Sequence, residues 1–277
     1  MRGHNHVFAA VLLGLGWLLA APGLAASSLA EVKARGKLIV LCFPHQESPF
    51  IRVRAEVGLG HYDGVDYEVM EGFARSLAVA LEVRPVKPSF NALLPALLRG
   101  DGDVIASEFS VTEERRKQVD FSVPYFTVHH LVVVPAGSAV RTPADLAGKR
   151  ASTIVGSSNE EQTRALRPGS ISYADFTRWS FDALNEGKAD FTVQDEPSVW
   201  RLLKLYPNLK VALQLPGAEY YSYAVVPKSD LKPALDRYIE KLRRSGKLDE
   251  IIHRYLGQDA ATTARPLPSS ATHPPRG

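Results

Sequence analysis

The run DVIASEFSVTEERRKQVDFSVPY, from Asp103 to Tyr125, decides the reading of this chain. Val104-Ile105-Ala106 is a short apolar run of the kind that forms a buried strand. A loop of small and polar residues follows, Ser107, Glu108, Phe109 and Ser110. Thr112 with Glu113 and Glu114 behind it is a helix start, with acids in the first turn where the helix dipole favours them. Arg115 stands in that same turn, where a cation is disfavoured by about 0.3–1 kcal/mol. It is therefore either solvated with Arg116 and Lys117 or held there for a purpose. Asp120-Phe121-Ser122-Val123-Pro124-Tyr125 then reads as a turn whose proline ends the helix and redirects the chain.

The composition is that of a soluble globular protein, and 277 residues suffice for two small domains or one large one. A net charge of +3 is too small an imbalance to point to nucleic acid or an anionic membrane as partner. The sequence has no zinc-type Cys/His spacing, Walker loop or G-x-S-x-G elbow, so no metal, cofactor or catalytic residue is assigned. Residues 1–26 read as a cleaved export signal: Arg2, an apolar run from Val7 to Ala21, and small residues at Gly23-Leu24-Ala25-Ala26. Pro22 and the glycines inside the run suit a cleaved leader better than an anchor, which needs about 20 unbroken apolar residues. The single cysteine, Cys42, lies far beyond the leader, so no lipid-anchoring cysteine is expected and a soluble periplasmic location is. Its apolar neighbours make it a buried structural thiol.

Along the chain, Leu29 to Lys37 reads as a short helix, and Leu38 to Phe43 as a parallel strand buried on both faces. Pro44 to Phe50 is a polar loop containing Glu47. A helix follows Gly64, with Met70, Phe73, Leu77 and Leu81 at helical spacing, and Leu81 to Val86 is the next strand. Ser89 is placed to cap a helix striped by Phe90, Leu93, Leu94 and Leu97 and ended by Gly100. Leu131 to Pro135 and Arg150 to Ile154 are further strands, and Ser157-Ser158-Asn159 opens a helix. Helix N-terminal N–H groups with small hydroxyls suit a carboxylate, although Ser-Ser-Asn is also an ordinary cap cluster. A strand at Ala189 to Val193 ends in Gln194-Asp195-Glu196-Pro197, and Asp195 is well placed to cap the helix at Pro197. Tyr220 to Pro227 is a strand, two amphipathic helices follow it, and 258–277 should be a disordered tail. Strand–helix alternation without hairpin signals makes the fold α/β with a largely parallel sheet.

Three phrases carry a family resemblance: G-V-D-Y-E at Gly64, T-E-E-R…D-F-S-V-P-Y at Thr112, and G-K-A-D…D from Gly187 to Asp195. Together they resemble the family 3 periplasmic solute-binding proteins that serve amino-acid uptake in bacteria. The resemblance covers about Leu38 to Gly257. It implies a two-lobed periplasmic-binding-protein type II fold, each lobe a mostly parallel sheet flanked by helices, with the ligand cleft between lobes. Lobe 1 would comprise residues 31–132 and 226–257, and lobe 2 the inserted residues 133–225. It implies a monomer that binds a small amino-acid-like ligand by closure and delivers it to an ABC transporter permease in the inner membrane. A sensor or oxidoreductase module, and a cyclohexadienyl-type dehydratase using Glu47, Glu108 or Glu196 as acid, are the alternatives.

Residue by residue, the resemblance gives Arg115 the ligand's α-carboxylate, for which a planar guanidinium offers two parallel N–H groups. Asp195 receives the α-ammonium, and Phe90 is either a stacking ring or core. Ser107, Glu108, Ser110, Ser157, Ser158, Asn159, Gln194 and Glu47 complete the implied ligand-binding set. Two departures qualify it. Pro44 aligns where many polar binders carry Asp, and Glu108 where relatives carry a small residue. Glu108 could pair with Arg115, select a cationic ligand, or point outward.

Overall fold

The computed structural model describes residues 28–43, 48–54 and 60–257. The expected leader, the loop positions Pro44 and Glu47, and the expected tail lie outside the described residues.

Ser28 and Glu31 form a capping box at the start of the Leu29–Arg35 helix, and Gly36, at φ +71°, closes it in the left-handed conformation. The Lys37–Cys42 strand then runs parallel between Ala80–Pro85 and Val104–Ile105. Val32, Leu38 and Val40 pack on one side of this sheet with the Val65–Ser76, Leu231–Arg244 and Lys247–Leu256 helices. Leu41, Leu93, Leu97 and Ile105 fill the other side. The stripe on the Val65–Ser76 helix is core as expected at Met70 and Phe73, but Leu81 belongs to the next strand. Beyond Val104–Ile105 the sheet continues with Ala224–Val225 and Asp120–Phe121, both pairings antiparallel. Asp120–Phe121 is thus an edge strand where a turn was expected.

The second sheet repeats the plan in the order Ser170–Ala174, Arg150–Ile154, Phe191–Asp195, His130–Pro135, Leu209–Gln214. Its first three strands are parallel, and the pairings made by His130–Pro135 are antiparallel. Along that strand Leu131 and Val133 join one apolar cluster while Val132 and Val134 join the other, the mark of a strand buried on both faces.

Each sheet is mixed in that one strand runs against the others, and the cause is topological. Strands of βαβ units run toward the cleft, whereas a strand arriving from the other lobe starts at the cleft and runs away from it. The arrivals pass through a two-stranded ribbon, Phe126–Val128 against Glu219–Tyr221. The sheets thus divide the chain at this ribbon. The expected boundary after residue 132 cuts the His130–Pro135 strand, and Ala224–Val225, placed in the inserted lobe, pairs in the first sheet. Rings lock the ribbon to the first lobe: Phe50 lies edge-on to Phe126 and Tyr221, and Tyr125 stacks on Tyr223 with centroids 4.4 Å apart. The apolar runs show the strands but not this bookkeeping of directions.

Candidate functional site

Both sheets present the ends of their parallel strands to a common cavity of about 460 Å³. From the first lobe it is lined by Ser48, Phe90, Glu108, Ser110 and Arg115. From the second come Ser157, Ser158, Asn159, Gln194 and Asp195, with an aromatic wall at Phe176 and Trp179. Of the residues singled out in sequence, Ser107 is not in this wall. It is fully buried and its hydroxyl accepts the Phe43 N–H at 3.0 Å, so it shapes the loop from behind.

Arg115 is held, not solvated. Thr112 caps the Glu113–Arg116 helix through the Arg115 N–H, which points the Arg115 side chain inward while Arg116 and Lys117 remain exposed. The guanidinium lies 4.0 Å above the Phe109 ring and within 5.6 Å of Phe90, a cation–π seat. Nη1 donates to the Ser110 carbonyl at 2.7 Å and Nη2 to the Gly156 carbonyl, on the opposite lobe, at 3.0 Å. Two of its five N–H groups are thereby used, and three remain for a ligand. Burial lowers its pKa to about 10 against the pull of Glu219, Glu161 and Asp195, so it stays charged at neutral pH. Phe90 is both core and cavity wall. Ser89 occupies the cap position but its hydroxyl donates to Asn91 at 2.5 Å instead of satisfying the backbone.

Asp195 sits at the cap position of the Glu196–Leu203 helix, yet its side chain makes no capping bond. It turns into the cleft, where Tyr221 donates to Oδ2 at 2.6 Å. Oδ1 is buried without a hydrogen-bond partner and lies 3.2 Å from His130 Nδ1. His130, paired directly across the sheet, donates from Nδ1 to Asn159 at 2.8 Å and places Nε2 2.9 Å from Glu219. Burial alone would depress the imidazole, but Asp195 and Glu219 outweigh it and raise its pKa to about 10. It is an imidazolium between two carboxylates. Glu219 is correspondingly held low: burial opposes, and the bond and charge of His130 prevail.

Glu108 does not pair with Arg115. It accepts a hydrogen bond from the Ser48 hydroxyl, and its own N–H donates to Asp66 at 2.9 Å. Asp66 is fully buried in the first turn of the Val65–Ser76 helix, and burial raises it to about 6 despite hydrogen bonds from the Glu108 N–H and the Tyr223 hydroxyl. Sequence reasoning missed Asp66, His130, Glu219 and Tyr221, which hold the cavity acids from behind, and the cavity-wall residues Ser48, Phe176 and Trp179. The only local hints are an acid two residues after a helix-opening glycine and a histidine directly before an unbroken apolar strand.

The lobes touch across the cavity. Ser158 donates to Ser110 at 3.1 Å, and Phe43 stacks on Phe176 with centroids 5.5 Å apart. Gly156 comes close to Asn91 of the other lobe: at φ +72° a side chain is strained, and a Cβ would overlap that of Asn91. Gly156→Ala is therefore expected to hold the lobes apart. A loss of roughly 1–3 kcal/mol, about 5- to 150-fold in affinity, should appear by calorimetry with an enlarged radius of gyration in solution scattering. Unchanged affinity and radius would show that this approach is not needed.

Two α/β lobes joined by a paired-strand ribbon, with a guanidinium from one and a carboxylate from the other on a shared cavity, define a two-lobed solute-binding protein. Residues 39–258 match the bacterial extracellular solute-binding proteins, family 3, and the chain belongs to that family. Among solved structures it resembles a mutant of ArgBP from T. maritima, at 29% identity and TM-score 0.75 over 83% of this chain and 99% of that one. It is also similar to the amino acid ABC transporter substrate-binding protein AbpA from Streptococcus pneumoniae, bound to L-arginine. There identity is 29% and TM-score 0.73, over 85% of this chain and 98% of that one. Among curated relatives, membrane-bound lytic murein transglycosylase F of Desulfosudis oleivorans is 27% identical over 82% of this chain and 50% of its own length. The probable histidine-binding protein of Campylobacter jejuni is 28% identical over 69% and 76%. The chain spans about half the length of the transglycosylase relatives it matches. Among the described residues no helix is long and apolar enough to cross a membrane.

Proposed function

We propose that this protein binds a small zwitterion, an amino acid or a close analogue, between its lobes and delivers it to an ABC transporter permease from the periplasm. One observation carries the reading: Arg115 and Asp195 come from different lobes to one cavity. Arg115 has free N–H groups, and Asp195 Oδ1 makes no hydrogen bond beside its 3.2 Å ion pair with His130. The α-carboxylate would take the guanidinium fork, and the α-ammonium would supply the hydrogen bond that Oδ1 lacks. The open form would load on the first lobe, and contacts from Ser157, Ser158, Asn159, Gln194 and Asp195 would then favour closure about the Phe126–Val128 and Glu219–Tyr221 ribbon. The arginine-bound structural relatives support the ligand class. Isothermal titration against the twenty amino acids tests it. Absence of heat from all of them, with Arg115→Ala unchanged from wild type, would overturn it. A second reading, an acid-catalysed dehydratase, is favoured only by Glu108, a cavity carboxyl that burial raises to about 8. Loss of prephenate or arogenate absorbance on adding the protein would establish that reading instead.

A further inference from the structure

Glu108 stands where a glycine would sit more easily. Its φ of +53° lies in the left-handed region, which disfavours a side chain by roughly 1–2 kcal/mol. The loop is nonetheless pinned there, by Asp66 on the Glu108 N–H and by Ser107 on the Phe43 N–H. A strained residue that its surroundings hold in place points toward use. Its side chain enters the cavity, where Ser48 gives it a single hydroxyl bond. The Ser48 hydroxyl also accepts the Phe50 N–H, so this donor is fixed in turn.

The charges that act on Glu108 have its own sign, while Lys87 and Arg178 line the same cavity. Asp66 comes from the Val65–Ser76 helix and Asp195 from the opposite lobe, while Tyr125 and Tyr221 face it as neutral phenols. Arg115, the cation on the same loop, turns Nη1 and Nη2 to the Ser110 and Gly156 carbonyls and makes no bond to Glu108. Burial, reinforced by Asp66 and Asp195, overrides the Ser48 bond and raises Glu108 to about 8. Without ligand it therefore carries a proton at neutral pH.

We propose that Glu108 receives a second cationic group of the ligand, so that the cleft selects amino-acid-like molecules with a guanidinium or ammonium on the side chain. The inference rests on the preceding reading, because Arg115 and Asp195 already account for both ends of a simple zwitterion. Binding converts the Glu108 carboxylic acid to a carboxylate paired with the ligand cation, and the displaced proton leaves to buffer.

The test is calorimetry at pH 6.5 in two buffers of different ionisation enthalpy, with arginine and with citrulline, its neutral isostere. Wild type should bind arginine at least ~30-fold tighter and release close to one proton per arginine. Glu108→Gln should bring the two affinities within about threefold and abolish proton release. Glu108→Gly, unstrained at this φ, should do the same and guards against a folding defect in the first variant. Equal affinities in wild type, or a ratio that survives both substitutions, would overturn the assignment of Glu108 while leaving the Arg115–Asp195 clamp standing. Heat from no amino acid at all would overturn both.

Discussion

Arg115→Ala should abolish useful affinity for the amino-acid ligand while leaving the ligand-free fold intact. Truncating one partner of a buried, hydrogen-bonded charge pair costs about 2–5 kcal/mol, which is roughly 30- to several-thousand-fold in affinity. The upper part of that range applies here, because the same side chain joins the lobes through the Gly156 carbonyl. On the proposed reading the variant loses the carboxylate grip and the contact with Gly156 together. Without ligand the balance is different. Losing the bond to Ser110 and the stacking on Phe109 is offset by removing a guanidinium whose burial is itself unfavourable. The melting temperature should therefore move by only a few degrees. Arg115→Lys should rescue little, since a point charge cannot reach two carbonyls and a carboxylate in one plane. Calorimetry with a bound amino acid and a parallel thermal melt separate the two effects. Affinity within threefold of wild type would remove Arg115 from the site.

The contrast between Arg115 and Glu219 explains what could be read in advance. Arg115 was legible because its neighbours are local: Thr112 three residues back fixes its direction, and the strand and loop before it place it at a cleft edge. Asp195 was legible for the same reason, ending a strand after a recognisable turn phrase. The strands and helices announced themselves through apolar runs and 3.6-residue stripes. Glu219, Tyr221 and His130 did not, because each acquires its role from pairing across the ribbon and the second sheet. Nothing near Glu219 in sequence shows that Val128 will lie opposite it, or that His130 will reach it. Likewise Asp66 stands in the G-V-D-Y-E phrase with no role of its own until Glu108 and Tyr223 arrive from elsewhere in the chain. Long-range charge partnerships depend on sheet order, and sheet order depends on where the chain changes lobes.

The second large effect belongs to His130. Its replacement by Gln should lower stability by about 3–5 kcal/mol, since two carboxylates would be left facing each other in a buried site. For a domain of this size that is roughly 6–20 °C in melting temperature. A change in pH dependence marks the cause. The folded imidazole is raised to about 10 from an ordinary value near 6.5, so its stabilisation is complete below about pH 6.5 and is lost as pH rises through about 10. Glu108, raised to about 8, and Asp66, raised to about 6, act in the same direction. Each binds its proton more tightly in the folded state, so stability falls as pH climbs from the unfolded carboxyl range through those values. Wild type should therefore melt progressively lower from pH 6 to pH 10. His130→Gln should be most destabilised at the acidic end and should lose most of the decline between pH 8 and 10, because Glu108 is nearly fully ionised by about pH 9 whereas His130 titrates through about 10. Melting curves at unit pH steps give both numbers. If the variant matches wild type at pH 6, or keeps the same slope between pH 8 and 10, the imidazolium does not hold Asp195 and Glu219 together. The Asp195 side of the cleft would then need another source of order.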